Sequence, residues 1–172
     1  MRARDAVPGF ASLVAADGQI GLGLDLATTE KGTSNPSALA VMQRSANLLV
    51  VRLLLAWKTA DPDVTTEVVE TVVDALLATG RRPRRLCIDA SSEVFFATGI
   101  RRKLTARLPV QLVKGGEKVK HRGEDLPSKV VLGNLYASAL EDGIVRLPAG
   151  GWIADDHRLV MREAGGFTTA TG

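Results

Sequence analysis

The spacing of hydrophobic residues changes near residue 61, and this change restricts the possible folds more than any other feature of the sequence. Before it, three apolar, β-compatible runs follow one another at residues 20–26, 37–43 and 48–57. After it, apolar residues recur at intervals of three and four between Val64 and Leu77, which is typical of an amphipathic helix. Short apolar runs and helical stretches then alternate. The sequence therefore predicts three strands followed by an alternation of helix and strand.

Turn and capping residues set the expected limits of the later elements. Asp61 and Pro62 begin the first helix and Gly80 ends it, because glycine readily adopts the conformation that follows a helix. The elements expected next are a strand at Arg85–Asp89, a helix reaching about Arg107, a strand at Val110–Val113, a helix at Ser128–Glu141, an extended segment at Ile144–Leu147 and a last helix at Ile153–Glu163. This order predicts an α/β fold with a mixed five-stranded sheet, made of a three-strand meander and then two parallel strands, flanked by helices. In that layout the first and fourth strands are neighbours.

The composition is that of one globular domain. The chain has 172 residues, of which 45% are hydrophobic and 24% are charged, and this size and balance allow a single α/β core. No apolar run approaches the ~20 residues that a membrane-spanning helix needs. The single cysteine, Cys87, excludes an internal disulfide and fits a reducing cytoplasm, and its apolar surroundings predict a buried side chain. We expect residues 1–18 to be an N-terminal linker or extension and residues 19–172 to be the domain.

Two aspartates end apolar strands in the same way. Asp25 follows the run that starts at Ile20, Asp89 follows Leu86–Ile88, and small or polar residues come soon after both. A carboxylate on an apolar strand is unfavourable unless its charge is compensated. The carboxyl ends of strands in an open α/β sheet form the edge where ligands bind. On neighbouring strands the two carboxylates would repel each other, and a hard divalent cation such as Mg²⁺ or Mn²⁺ would relieve that repulsion.

Either aspartate alone could have a purely structural role, because a residue that leaves a strand often caps the following helix or turn. The matching positions of Asp25 and Asp89 favour metal binding over two independent caps. A pair of divalent ions ~4 Å apart could then activate water and stabilise the leaving oxygen in phosphodiester cleavage.

Basic residues are grouped along the chain, although the net charge is only +3. Two groups, at 81–85 and 101–107, are equally well explained as solvated helix ends and loops. The third group is a glycine-containing segment after the strand at 110–113, with Lys114, Lys118, Lys120, His121 and Arg122. We expect this third group to form a flexible loop that follows a nucleic-acid backbone, where each cation displaces counterions from the phosphates.

The order of these segments resembles a known family. The segments GLDLATTE, AWK, LCIDASSE and VQLVKGGEKVKHRGEDLPSKVVLGNLYASALEDGIVRLP are arranged as in the nuclease domain of phage terminase large subunits, particularly those of Mu-like phages, which are ribonuclease H-like. The resemblance covers roughly residues 19–167. Its most specific part is the lysine that begins a helix, Lys129, together with the small residues along that helix and the EDGIVRLP that follows.

The resemblance implies a function and a set of partners. Asp25 and Asp89 would be the first two acids of a two-metal site that uses Mg²⁺ or Mn²⁺, and Lys129 would join the DNA-binding residues of the basic loop. The chain would be an endonuclease that cuts double-stranded DNA during phage genome packaging in the cytoplasm of the bacterial host. The implied partners are the ATPase part of the terminase, the small terminase subunit and the portal. No membrane association is expected. The phosphate-binding motif of the packaging ATPase is absent from the sequence, which indicates an excised domain or a separately encoded nuclease part.

One residue that the family pattern requires has no clear counterpart. Terminase nucleases place a third acid on a C-terminal helix, usually in a His-x-Asp setting. Asp155, Asp156 and His157 are the nearest equivalent, but their spacing from Leu147 and Pro148 fits the preceding helix better. Asp156 is therefore the candidate third catalytic acid and metal ligand within the sequence, and a ligand beyond residue 172 is the alternative that the spacing favours.

Three other functions are alternatives. Holliday-junction resolvases share the fold and the acids, and a DNA-binding packaging module with an incomplete catalytic site would lack the third acid. The segment from Gly23 to Thr29 also resembles the phosphate-binding hairpin of the actin and Hsp70 superfamily, but Ala27 replaces a glycine of that motif. That superfamily needs two such domains, for which the chain is too short, so ATP binding is the least favoured function.

Overall fold

The computed structural model describes residues 9–28, 35–158, 160–163 and 166–169. Its strands, in chain order, are β1 (Gln19–Asp25), β2 (Ser37–Ser45), β3 (Leu48–Trp57), β4 (Arg85–Asp89), β5 (Val110–Val113), β6 (Lys118–His121), β7 (Glu124–Pro127), β8 (Val145–Arg146), β9 (Val160–Glu163) and β10 (Gly166–Thr169). Its helices are α1 (Pro62–Ala78), α2 (Val94–Leu104), α3 (Ser128–Glu141) and α4 (Gly151–Arg158), preceded by a 3₁₀ turn at Phe10–Leu13. No helix among these residues is long and apolar enough to span a membrane.

Within the described residues, six strands form the central sheet in the order β5-β4-β1-β2-β3-β8. β1, β2 and β3 form an antiparallel meander, whereas β4 pairs in parallel with both β1 and β5. The predicted α/β fold class and the predicted adjacency of the first and fourth strands are therefore confirmed. The difference is β8, which pairs in parallel with β3 and brings the sheet from the five strands expected to six.

The two faces of the sheet have different residues because side chains alternate along each strand. One face is the core: Leu22 and Leu24 of β1 and Ile88 of β4 lie against α1 and α2, which contribute fully buried side chains such as Val72 and Leu104. The other face carries Gly23, which has no side chain, and the small side chains of Ala38 and Ala40. The two aspartates lie on this face as well, two residues beyond Gly23 and Cys87 on their strands. The sheet thus buries one face and leaves the aspartates on the other.

The start of the described chain is part of the same core. Phe10, Ala11 and Val14 are buried in the cluster that includes the sheet. The side chain of Gln43, which is fully buried on β2, donates a hydrogen bond to the carbonyl of Ala15 and accepts one from its N–H, at 2.8 and 3.1 Å. These contacts attach the described residues before β1 to the core of the sheet.

Two local expectations are wrong. The helix expected at Ile153–Glu163 ends at Arg158. The residues of β9 then pair antiparallel with β10, so their backbone N–H and C=O groups are hydrogen-bonded between strands and not within a helix. The flexible basic loop is instead a hairpin of β6 and β7. Its two turn residues, Arg122 and Gly123, have φ angles of 51° and 91°, the left-handed conformations that a tight hairpin turn requires.

Candidate active site

Asp25 and Asp89 end neighbouring parallel strands. The register pairs Gly23 with Cys87 and Leu24 with Ile88, so the aspartates are the next residues on their strands. Adjacent strands lie ~4.8 Å apart, and residues in register point to the same face. The two exposed carboxylates therefore lie side by side at the carboxyl edge of the sheet.

The charges of the two aspartates interact. The pKa of Asp25 is raised above its ordinary value, first because the surrounding pocket desolvates the carboxylate and second because the negative charge of Asp89 is close. A hydrogen bond from the backbone N–H of Leu26 opposes this shift only in part. The edge of the sheet at this point has a negative potential that would attract a cation.

Asp89 is held in place by Ser91. The Ser91 backbone N–H and hydroxyl both donate to Oδ1 of Asp89, at 2.8 and 2.6 Å. The same hydroxyl accepts a hydrogen bond of 2.9 Å from the N–H of Gly115, in the loop after β5. One serine therefore connects the carboxylate to the loop that carries Lys114.

The segment that follows Asp25 is fixed by two side chains. The hydroxyl of the fully buried Ser37 bonds to both the N–H and the carbonyl of Ala27, at 2.9 and 3.0 Å. One residue further on, the Thr28 hydroxyl donates a 2.7 Å hydrogen bond to Oε1 of Glu93, which lies after β4. The loops after the two aspartates are therefore joined by side chains.

A cavity of about 410 Å³ lies between the open face of the sheet and the start of α3, and both aspartates line it. Its walls include Cys87, two residues before Asp89 on β4, and Lys129 and Leu132 on α3. Lys129 is held at this position because its N–H donates to the carbonyl of Gly115 at 3.0 Å. Lys129 therefore lines the same cavity as the two aspartates.

The β6–β7 hairpin carries four of the predicted DNA-binding residues, whereas Lys114 lies in the loop before it. Lys118, Lys120 and Arg122 are exposed, and His121 is half-buried. The partner strand carries acids opposite two of the basic residues: Lys120 pairs with Asp125 and His121 with Glu124. The hairpin is therefore less basic than the isolated segment 114–122.

The structure brings some of the predicted site residues together and leaves others apart. Asp25, Asp89 and Lys129 line one cavity, whereas the lysines of β6 lie on the separate hairpin. Asp156 falls on α4, and its side chain lies outside the described residues.

Sequence reasoning missed three residues of the site. Ser91 and Glu93 bond to partners 24 and 65 residues away, which no local pattern reveals. Cys87, expected to be buried, is only half-buried in the cavity wall, and burial raises the pKa of its thiol. The one signal available was the period of two along β4, which places Cys87 on the same face as Asp89.

The donors of the cavity fit a hard divalent cation. Two carboxylates converge there and repel each other, and carboxylate oxygens are the ligands that Mg²⁺ and Mn²⁺ prefer. Within the part of the chain that is described, no group of three or more Asp, Glu, His or Cys side chains is arranged to hold an ion. Asp25 and Asp89 would therefore hold an ion as a pair, with water or a substrate oxygen completing its shell.

Solved structures with the same fold are viral terminase nucleases. The large terminase nuclease of the thermophilic phage G20c aligns with a TM-score of 0.60 and 15% identity over 91% of this chain and 74% of its own. The nuclease domain of the large terminase subunit gp2 of bacterial virus Sf6 aligns with a TM-score of 0.54 and 14% identity over 98% and 85%. A variant of the Sf6 domain with manganese and β-thujaplicinol aligns with a TM-score of 0.54 and 13% identity over 98% of this chain and 85% of its own. The resemblance to terminase nuclease domains is thus confirmed for the fold.

Other similarities are limited. No family model and no curated protein matches the sequence. The chain spans 63% and 65% of two human cytomegalovirus terminase nuclease structures, and 30% of the large terminase of a second thermophilic bacteriophage.

Proposed function

We propose that this chain is a divalent-metal-dependent endonuclease domain that cuts double-stranded DNA during phage genome packaging. The observation that carries the proposal is the pair of carboxylates, Asp25 and Asp89, at adjacent ends of parallel strands in a fold shared with terminase nucleases. The structure of the Sf6 domain with manganese supports a site for such an ion in this fold.

The chain's own residues would position the phosphodiester. A divalent ion held by Asp25 and Asp89, or a pair of ions as the family pattern implies, would supply Lewis-acid activation of water and neutralise charge on the leaving oxygen. Ser91 keeps Asp89 oriented, and Lys129, which lines the same cavity, would supply a positive charge there. A scissile phosphate would therefore meet the carboxylates on one side and the start of α3 on the other.

The remaining parts of the proposal concern DNA and partners. Lys114 and the exposed cations of the hairpin, Lys118, Lys120 and Arg122, would contact the phosphate backbone beyond the scissile bond. Asp156 is the candidate third acid in this chain. We place the activity in the cytoplasm of the bacterial host, together with the terminase ATPase, the small subunit and the portal.

Incubation of supercoiled plasmid with the protein and Mn²⁺ tests the activity. We expect nicked and then linear DNA, and a loss of at least about 100-fold in rate for Asp25→Ala and for Asp89→Ala, because each removes a metal ligand. Asp17→Ala is the matched control, since it removes an exposed aspartate from the turn before β1. Asp156→Asn shows whether that residue contributes to the rate.

The outcomes separate the alternatives. Absence of nicking by the wild type, or undiminished nicking by Asp25→Ala, would contradict the catalytic proposal. Retained DNA binding without cleavage would instead identify a packaging module with an incomplete site, and a strong preference for four-way junctions would identify a resolvase.

A further inference from the structure

The two loops that follow the aspartates are joined by one side-chain hydrogen bond. Thr28, three residues after Asp25, donates from Oγ1 to Oε1 of Glu93, four residues after Asp89, at 2.7 Å. A hydroxyl bonded to a carboxylate at this distance makes a charge-assisted hydrogen bond, which is stronger than a bond between neutral groups. We call this contact the Thr28–Glu93 bridge.

The bridge is not a by-product of helix capping. Glu93 is the residue that precedes α2, with φ −104° and ψ 47°, and its side chain makes no capping hydrogen bond to its own helix. Its half-buried carboxylate instead turns toward the chain that leaves β1. At the start of α2, the side chain of Glu93 therefore bonds to a residue 65 positions earlier in the sequence and not to its own helix.

The aspartates lie between two connections of the same strands. Before them, the parallel ladder joins β1 to β4 as far as Leu24 and Ile88. After them, the Thr28–Glu93 bridge joins the segments that follow the two strands. Asp25 and Asp89 lie between the ladder and the bridge, and their negative charges repel each other. Without the bridge, this repulsion would favour separation of the two loops.

We infer that Thr28 and Glu93 are positioning residues, whose bridge holds Asp25 and Asp89 at the separation that a shared divalent cation requires. This inference rests on the proposed function, because it concerns the metal site of that function. Glu93 acts through the bridge and does not itself bind the ion.

Mn²⁺ affinity of the full chain, measured by calorimetric titration and by the electron paramagnetic resonance signal of free Mn²⁺, tests the inference without relying on cleavage. Thr28→Val keeps the shape of the side chain but removes the donor, and we expect it to weaken Mn²⁺ binding about 10-fold, as loss of a partner that orients a metal ligand does. Thr28→Ser keeps the hydroxyl and should bind Mn²⁺ nearly as well as the wild type. Glu93→Gln keeps an acceptor oxygen but loses the charge that strengthens the bond, so it should lose less affinity than Thr28→Val.

The matched control is Thr98→Val, which removes a threonine hydroxyl bonded to the Val94 carbonyl within α2 and should leave affinity unchanged. Melting temperatures measured without metal show whether Thr28→Val remains folded. Equal Mn²⁺ affinity of Thr28→Val and wild type would overturn the bridge but leave the proposed function standing. Loss of affinity in Glu93→Gln as large as in Asp25→Asn would overturn it too, because Glu93 would then be a ligand. A wild type that binds no Mn²⁺ would overturn both proposals.

Discussion

Asp25 lies at the point of the molecule where fold stability and function conflict. Its carboxylate is desolvated and faces the charge of Asp89, so its pKa is raised in the folded protein. A group whose pKa is higher in the folded than in the unfolded state stabilises the fold at low pH. That contribution is complete below the unfolded pKa and is lost as the pH rises through the folded pKa. At neutral pH without metal, Asp25 therefore destabilises the fold relative to an aspartate of ordinary pKa.

Asp25→Asn should consequently raise the melting temperature at pH 7 in the presence of a chelator. We expect an increase of at most a few degrees, because the carboxylate is only partly desolvated and solvent screens its repulsion by Asp89. The difference should vanish below the ordinary aspartate pKa of about 3.9. Excess Mn²⁺ should reverse the order, since only the wild type gains stability by binding the ion. Thermal unfolding at several pH values, with Asp17→Asn as the control, measures this; a decrease at pH 7 without metal would contradict it.

The sequence reveals the two aspartates but not the residues that position them. Asp25 and Asp89 stand out because each is a charged residue at the end of an apolar run, a local pattern. Glu93 looks like an ordinary residue before a helix, and its partner Thr28 is in a separate loop. Contacts between distant residues depend on tertiary packing, which hydrophobic periodicity does not encode.

Among the elements, the β6–β7 hairpin differs most from its prediction. A glycine-containing, charged segment predicts a flexible loop, yet Arg122 and Gly123 adopt the positive φ angles of a two-residue turn and allow β6 and β7 to pair. Pairing places Asp125 opposite Lys120. The acids that follow the basic run in sequence thus become its neighbours in space, which a count of local charge cannot show.

This arrangement predicts opposite effects of neighbouring substitutions on DNA binding. Lys120→Ala should weaken binding and reduce the slope of log affinity against log salt concentration by about one, because one phosphate contact is lost. Asp125→Asn should strengthen binding, because it removes the negative charge opposite Lys120. Fluorescence anisotropy of labelled duplex DNA with Ca²⁺ in place of Mn²⁺ measures both. Unchanged salt dependence in Lys120→Ala would exclude the hairpin from the interface.

For the whole molecule, the order of periodicities was sufficient to predict the fold class and the neighbouring positions of β1 and β4. Strand order follows from few rules once the elements are known, because crossovers are right-handed and the meander is local. The sequence did not predict that β8, only two residues long, would join the sheet beside β3, because so short a strand has no recognisable period. The open cavity between α3 and the sheet likewise depends on packing between distant elements.

We propose that Asp25 and Asp89 together bind the catalytic divalent cation. Crystals of the chain soaked in MnCl₂, with data collected for manganese anomalous scattering, test it most directly. We predict a peak at the carboxyl edge of the sheet, with oxygens of both Asp25 and Asp89 about 2.1 Å from it. The peak should be absent from crystals of Asp89→Asn soaked in the same way. Manganese bound elsewhere, or no ordered manganese at saturating concentration, would contradict a metal site at these two aspartates.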